Sequence, residues 1–402
     1  MELRAVTVCR RHKVRIKEIF ERTLPISRYA DPSIPSGGLD TSAVAIVTDK
    51  MCDGEPIIGY GFSSIGRFGQ RGLIADRFSP RLMNGGDSLI NPDTGLLDPF
   101  RAWEEMMNRE KPGGHGERSV AVGTLDMAIW DACAKAAELP LFRFIQKTLG
   151  TAHEIKPVPV YAGGGYYYPQ DDMVRLREEM EEFLAVGFTH AKIKVGAKSI
   201  AEDVKRIEVA RDVLGEGTRL AVDAIYSYTG TDVLRAAAEF EPFGLWWFED
   251  ICDPLDFETI AAATSAYKPP IAAGEAQFSL PDARNLIKYS RLRANHDILL
   301  FDIAHCYGLP EYLKIIKMAE GLGWDRSSFY PHGGHLFTLQ VVAALGLGGA
   351  ELNPHNFQPF GGLADDAVID NGHALPPELP GIGFEGRKDL IQMFHDLVQS
   401  NR

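Results

Sequence analysis

Cysteine is scarce in this chain. Five thiols, Cys9, Cys52, Cys133, Cys252 and Cys306, are scattered over 402 residues with no Cys-x-x-Cys pair. This pattern argues against a disulfide framework or a thiolate zinc site and predicts reduced core thiols in a cytoplasmic protein. Positive charge is also short, with 42 Lys and Arg against 55 Asp and Glu and a net charge of −13. That balance disfavours nucleic acid or an anionic membrane as a partner. No apolar run is long enough to span a bilayer, and the start, MELRAVTVCRRHKVRIKEIF, lacks the continuous apolar stretch of a signal peptide. The expectation is a soluble, cytoplasmic protein whose acidic surface still leaves room for a locally positive site taking a small anion.

What the chain has in quantity is a repeat. From residue 157 onward short apolar runs alternate with amphipathic segments: VPVYAGG, HAKIKVG, RLAVDAI, LWWFED, PIAAGEA, DILLFDIAHC, RSSFYPHG and AELNP are eight strand candidates. Each of the first seven is followed by a helix-like stretch, and Ser199 and Glu202 have the spacing of a capping box at the start of one of them. Repeated βα units imply parallel strands with right-handed crossovers, and eight of them predict a closed (β/α)8-type barrel over residues 151–365. An open doubly wound sheet is the alternative. The segment NFQPFGGLADD after the last strand is loop-like. Residues 1–150 read differently: TSAVAIVTD and IIGYGFSS are antiparallel strand candidates around the turn KMCDGEP, followed by helical pattern. They predict an α+β capping domain completed by residues 366–402.

Polar residues recur at the ends of the barrel strands, where a barrel places its chemistry. Lys192 and Lys194 are followed by Asp223, Glu249, Glu275, Asp302 and His332, at spacings from Lys194 of 29, 26, 26, 27 and 30 residues, each about one βα unit. Asp223, Glu249 and Glu275 then meet as three carboxylates from adjacent strands, and their repulsion calls for a counter-charge. A hard divalent cation such as Mg²⁺ supplies it. The plainer alternative is that each carboxylate pairs with Lys or Arg or caps the next helix.

Lys192 and Lys194 are two residues apart and share a strand face. Neutralising a lysine at pH 7 costs on the order of 4–5 kcal/mol, and a second ammonium roughly 6–7 Å away offsets about 2–3 kcal/mol of that. Lys194 is therefore expected to be depressed and to act as a general base, with Lys192 staying charged to bind an oxyanion. A salt-bridge network with the carboxylates and a Schiff-base lysine are the alternatives; the second leaves the carboxylates without a role. His332, in FYPHGGH, would face Asp302, whose carboxylate fixes the imidazole tautomer for proton transfer. His305 reads as leaving its strand and His335 as starting a helix.

Lys-x-Lys on the second strand, Asp, Glu and Glu on the third to fifth, and the Asp/His pair on the sixth and seventh resemble the enolase superfamily, and within it the mandelate racemase group. The surroundings AKIKVG, AVDAIYSY, WWFEDICDP, AAGEAQFS and FYPHGGH are most similar to those of D-tartrate dehydratases. The resemblance covers nearly the whole chain. It implies Asp223, Glu249 and Glu275 as Mg²⁺ ligands, Lys194 as base, His332 with Asp302 as opposing acid, and Glu351 near the substrate carboxylate. It also implies a homo-oligomer. Many relatives have Asn two residues after the first metal ligand, where this chain has Ile225. The expected activity is a Mg²⁺-dependent dehydration of a hydroxy diacid; the same residues leave open an epimerase, a dehydratase of another acid sugar, or a catalytically silent barrel. The loops SRYADPSIPSGG and REKPGGHGER offer Arg28, Tyr29, Lys111 and His115 for a distal carboxylate.

Overall fold

The computed structural model describes residues 13–401; Cys9, with the rest of the starting segment 1–12, lies outside the described residues. Strands β1 (Ile16–Pro25), β2 (Asp40–Cys52) and β3 (Glu55–Phe62) form an antiparallel sheet in the order β1-β2-β3. The small and β-branched stretch 43–47 of β2 is buried, as suits a strand covered on both faces. The helix Glu117–Ala136 packs against β3 and β2. Its approach is close: a Cβ on Gly59 would lie 2.6 Å from that of Ala132, so β3 carries glycine at this point. The helix Lys388–Gln399 returns to the same sheet, with Phe394 stacked on Tyr60 at 4.6 Å between ring centroids.

The second sheet is parallel and built from β4 (Val158–Gly163), β5 (His190–Lys194), β6 (Arg219–Asp223), β7 (Phe248–Glu249), β8 (Ile271–Ala273), β9 (Ile298–Leu299) and β10 (Ala350–Leu352), in the order β10-β4-β5-β6-β7-β8-β9. Seven of the eight strand candidates thus enter the ladder. The other, RSSFYPHG, makes an isolated bridge from Phe329 to Leu299, with Tyr330 N donating to Leu299 O at 3.0 Å, His332 N to Leu300 O at 3.2 Å and Gly348 N to Phe329 O at 3.0 Å. Pro331 has no N–H to continue the ladder toward β10, which is why this segment never becomes a strand. A short β11 (His373–Ala374), absent from the sequence reading, pairs antiparallel with β4.

Tyr161, Ala221, Trp247, Ala272, Ile298 and Leu300 form a separate apolar cluster. They come from the sheet strands and their immediate ends, so they fill the interior beneath the strand-end polar groups. Cys133, Cys252 and Cys306 are buried free thiols, but Cys52 is exposed at the end of β2, against the expectation of a core thiol. No helix among the described residues is long and apolar enough to cross a membrane.

Candidate active site

Alternation along β5 directs Ala191, Ile193 and Val195 into the hydrophobic core and turns Lys192 and Lys194 to the other face, where they are 1% and 7% exposed. The parallel register does the rest. Lys194 is the Cα partner of Asp223, and Asp223 of Glu249, so the three stand in one row across β5, β6 and β7. Lys194 Nζ donates to Asp223 Oδ2. Lys192 Nζ reaches Glu249 Oε1 at 2.6 Å, Glu351 Oε1 at 3.0 Å and Asp223 Oδ2 at 3.8 Å. Taken together, the protein's own groups do not depress Lys194. Burial is the largest influence and lowers its pKa, as does Lys192, but Asp223, Tyr166 and Glu249 together outweigh them and the ammonium is held above its ordinary value.

The carboxylates divide in behaviour. Burial raises Asp223, yet Lys194 and Lys192 together hold it down at about 2. Burial pushes Glu249 up to about 8, with Lys192 opposing and Asp223 adding to the rise. Asp250, which the sequence reading passed over, has its carboxylate within 4.8 Å of those of Asp223 and Glu249. Burial and then Glu275 push it well up. Glu275 itself stands to one side, its Oε2 3.6 Å from His332 Nε2.

The donor set fits a hard cation. Lys192 and Lys194 serve Asp223, Glu249 and Glu351, while Asp250 and Glu275 make no ion pair with either lysine among the described residues. Asp250 Oδ2 and Glu351 Oε2 are buried without a hydrogen-bond partner among the described residues. A surplus of buried carboxylate oxygens with unfilled acceptor capacity suits an oxygen-seeking divalent ion.

On the other side of the site, His332 Nδ1 donates to Asp302 Oδ2 at 2.8 Å. Asp302 Oδ1 accepts from Ala304 N at 2.8 Å and His305 N at 3.1 Å. Burial opposes charge on His332, but Glu275 and Asp302 prevail and raise it to about 9. Ser64, from the loop that follows β3, donates to Asp302 Oδ2 at 2.6 Å. Its hydroxyl proton being committed there, Ser64 Oγ accepts from His335 Nε2 at 3.0 Å. His335 caps the helix Leu336–Leu345, as its position in the sequence predicts. Burial lowers both His305 and His335 to about 4, so both rival histidines are neutral.

The loops separate the remaining candidates. Tyr29 donates its hydroxyl to Tyr167 O at 2.6 Å, and Arg28 lies over the Tyr166 ring at 5.7 Å. The same ring lies 5.0 Å from Lys194 Nζ. Lys111 is exposed, and His115 Nδ1 pairs with Tyr307 OH at 3.0 Å; neither makes a hydrogen bond or ion pair to a strand-end residue. Instead, the stretch SSIGRFGQ supplies Ser64 and Arg67. A Cβ on Gly66 would come 3.3 Å from Glu275 Oε1. Arg67 stacks on Phe278 at 4.7 Å, and its Nε is buried with no hydrogen-bond partner among the described residues. The signal for it was a glycine-flanked cationic loop directly after a predicted strand.

Residues 175–390 match the enolase C-terminal domain-like family. An arabinonate dehydratase of Saccharolobus solfataricus is 29% identical over 76% of this chain and 80% of its own. A 3,6-anhydro-alpha-L-galactonate cycloisomerase of Streptomyces coelicolor is 30% identical over 84% of this chain and 88% of its own. Among solved structures, L-talarate dehydratase from Polaromonas sp. JS666, complexed with Mg and L-glucarate, superposes with a TM-score of 0.71 at 23% identity, covering 92% of this chain and 94% of that one.

Proposed function

The chain belongs to the enolase C-terminal domain-like family, and from that premise we propose that it is a Mg²⁺-dependent dehydratase of a hydroxy diacid, D-tartrate to oxaloacetate. Residues 1–150 with 366–402 act as the cap, and residues 151–365 as the barrel that carries the chemistry. Relatives named as a dehydratase and a cycloisomerase support chemistry on sugar acids while differing in reaction.

Asp223 and Glu249 with Glu275 would hold Mg²⁺, whose chemistry there would be charge stabilisation on the substrate carboxylate. Lys192, almost fully buried and shared between Glu249 and Glu351, stays charged and donates to the same carboxylate. Lys194, walled by Tyr166, removes the α-proton. Protonated His332, oriented by Asp302, donates its Nε2 proton to the β-hydroxyl, which leaves as water. The resulting enol tautomerises to the 2-keto acid.

The observation that carries this reading is geometric: His332 is oriented by its hydrogen bond to Asp302, and Lys194 on β5 faces Asp223 on β6. The diacid assignment rests on Arg67, a guanidinium without an ion pair among the described residues, on the loop that reaches Glu275. Incubation with Mg²⁺ and separate D-, L- and meso-tartrate tests it. Oxaloacetate from D-tartrate, abolished by EDTA, is the expected result. Turnover of a neutral-chain sugar acid such as arabinonate with none of tartrate would assign another dehydratase, and α-proton exchange without water loss would assign an epimerase.

A further inference from the structure

A second buried polar network lies behind β5, and the mechanism above makes no use of it. At its centre is Arg206 on the helix Ile200–Leu214, fully buried. Its Nη1 pairs with Asp172, its Nη2 donates to Gly165 O at 2.5 Å, and its Nε donates to Lys194 O at 3.4 Å. Gly165 O also accepts from Lys194 N at 3.1 Å, while Gly165 N donates to Glu179 Oε2 at 3.1 Å. The guanidinium lies 4.0 Å from the centroid of the Tyr167 ring, and the Tyr167 hydroxyl donates to Asp203. Asp203 Oδ2 in turn accepts from Gly196 N at 2.9 Å and Tyr228 OH at 3.0 Å.

Helix-to-strand packing needs none of this. An apolar side chain of similar volume would fill the space at lower desolvation cost, since buried ion pairs seldom contribute net stability. What the network does supply is fixed backbone on both sides of the base. Arg206 holds the carbonyl of Lys194, and the main chain at Gly165 and the ring at Tyr167 hold both neighbours of Tyr166. Gly165 is threaded at φ +61°, where a Cβ would lie 2.6 Å from that of Ile193, so the loop has one path past β5. Tyr29 of the capping loop joins the network through Tyr167 O at 2.6 Å.

We propose that Arg206 is a positioning residue that sets the reach of Lys194 toward the α-proton and, through Tyr167, ties that lysine to the capping loop. The inference rests on the assignment of Lys194 as the base.

The test exploits the two bases. D- and L-tartrate present their α-protons with opposite configuration, so above pH 9, where His332 is neutral, one enantiomer exchanges through Lys194 and the other through His332. Exchange in D₂O with Mg²⁺ is followed by proton NMR for wild type, Arg206→Lys and Tyr167→Phe; the last keeps the ring beneath the guanidinium and loses only the bond to Asp203. Misplacement of a reacting group by about 1 Å costs on the order of 100-fold. Both variants should therefore lose roughly that factor on the enantiomer served by Lys194, with KM unchanged and with exchange on the His332 enantiomer retained. Equal loss on both enantiomers, or no loss, overturns the positioning role. If Arg206→Lys does not fold, the same selective loss in Tyr167→Phe decides the matter. Exchange on both enantiomers that survives Lys194→Ala removes the base assignment itself, and this inference with it.

Discussion

Lys194 and Asp223 face each other across the β5–β6 ladder as Cα partners, and their side chains form a buried ion pair. Burial lowers the Lys194 pKa, but Asp223, Tyr166 and Glu249 together hold its ammonium above the ordinary value. In the proposed mechanism a cation on Asp223 would weaken that hold and favour the base form of the lysine.

Cation binding should release protons. Burial holds Glu249 at about 8, so near neutral pH its carboxyl binds a proton that ligation of a cation would displace. Calorimetric titration of EDTA-treated protein with Mg²⁺ at pH 7, in two buffers of different ionisation enthalpy, should show net proton release. Glu249→Gln should abolish most of it. At a hundredfold excess over the dissociation constant, Mg²⁺ should also add about 2.7 kcal/mol of stability.

Ser64 should matter to the acid, although it lies in the loop beyond β3 rather than on a barrel strand. Removing a hydrogen bond to a charged group costs about 1.5–3 kcal/mol. Ser64→Ala should lower kcat about tenfold, on the order of 1.4 kcal/mol, with Mg²⁺ affinity unchanged. An unaltered kcat would place Asp302 orientation wholly in the Ala304 and His305 amides.

Arg67 should discriminate substrates. Arg67→Met keeps an apolar side chain against Phe278 and removes the charge. The variant should lose about 100-fold in kcat/KM for a diacid, the scale of a lost charge-assisted bond, and far less for a monoacid. Parallel loss for both would assign Arg67 to loop structure.

Ile225 carries local strain. Its φ is +45°, a region that a β-branched residue rarely adopts, and its N–H donates to Asp223 Oδ1 at 2.8 Å. The backbone thus supports the ligand, and the side chain at this position is free to be other than Asn. Ile225→Asn or Ile225→Gly should stabilise the protein by about 1 kcal/mol, measured by urea unfolding, with Mg²⁺ affinity preserved.

Acid should destabilise the fold through two histidines. His305 and His335 are held by burial at about 4, against an ordinary value of 6.5. The unfolded chain binds protons at these two positions that the folded chain refuses. Their contribution is complete above pH 6.5 and is lost as pH falls toward 4, at about 1.4 kcal/mol per pH unit for each. The raised carboxyls of Glu249 and Asp250 act in the opposite sense, so the contribution is read as a difference: in urea unfolding between pH 7 and 4.5, His335→Gln, which can still cap its helix, should lose less stability with acid than wild type.

The sequence exposes most of the site because two periods coincide. Alternation along a strand aligned Lys192 with Lys194, and the length of a βα unit aligned Asp223, Glu249, Glu275, Asp302 and His332. Asp250 escaped for the converse reason. Alternation sends it to the face opposite Glu249, and only its left-handed backbone, φ +43°, turns the carboxylate back. The ion pair of Lys194 was not legible in sequence: its like-charged neighbour Lys192 is visible there, whereas the register that sets Asp223 opposite it is not. Ser64 and Arg67 depend on how the cap sits on the barrel, which no local pattern encodes. The seventh strand candidate had the right apolar pair, Phe329 and Tyr330, but Pro331 cuts its ladder.

The central claim is that Lys194 removes the α-proton in a Mg²⁺-loaded site. The most direct measurement is deuterium incorporation at the α-carbon of D-tartrate in D₂O, for wild type, Lys194→Ala and His332→Asn. The account predicts no incorporation with Lys194→Ala, and incorporation without oxaloacetate with His332→Asn. Incorporation by Lys194→Ala at the wild-type rate would contradict it.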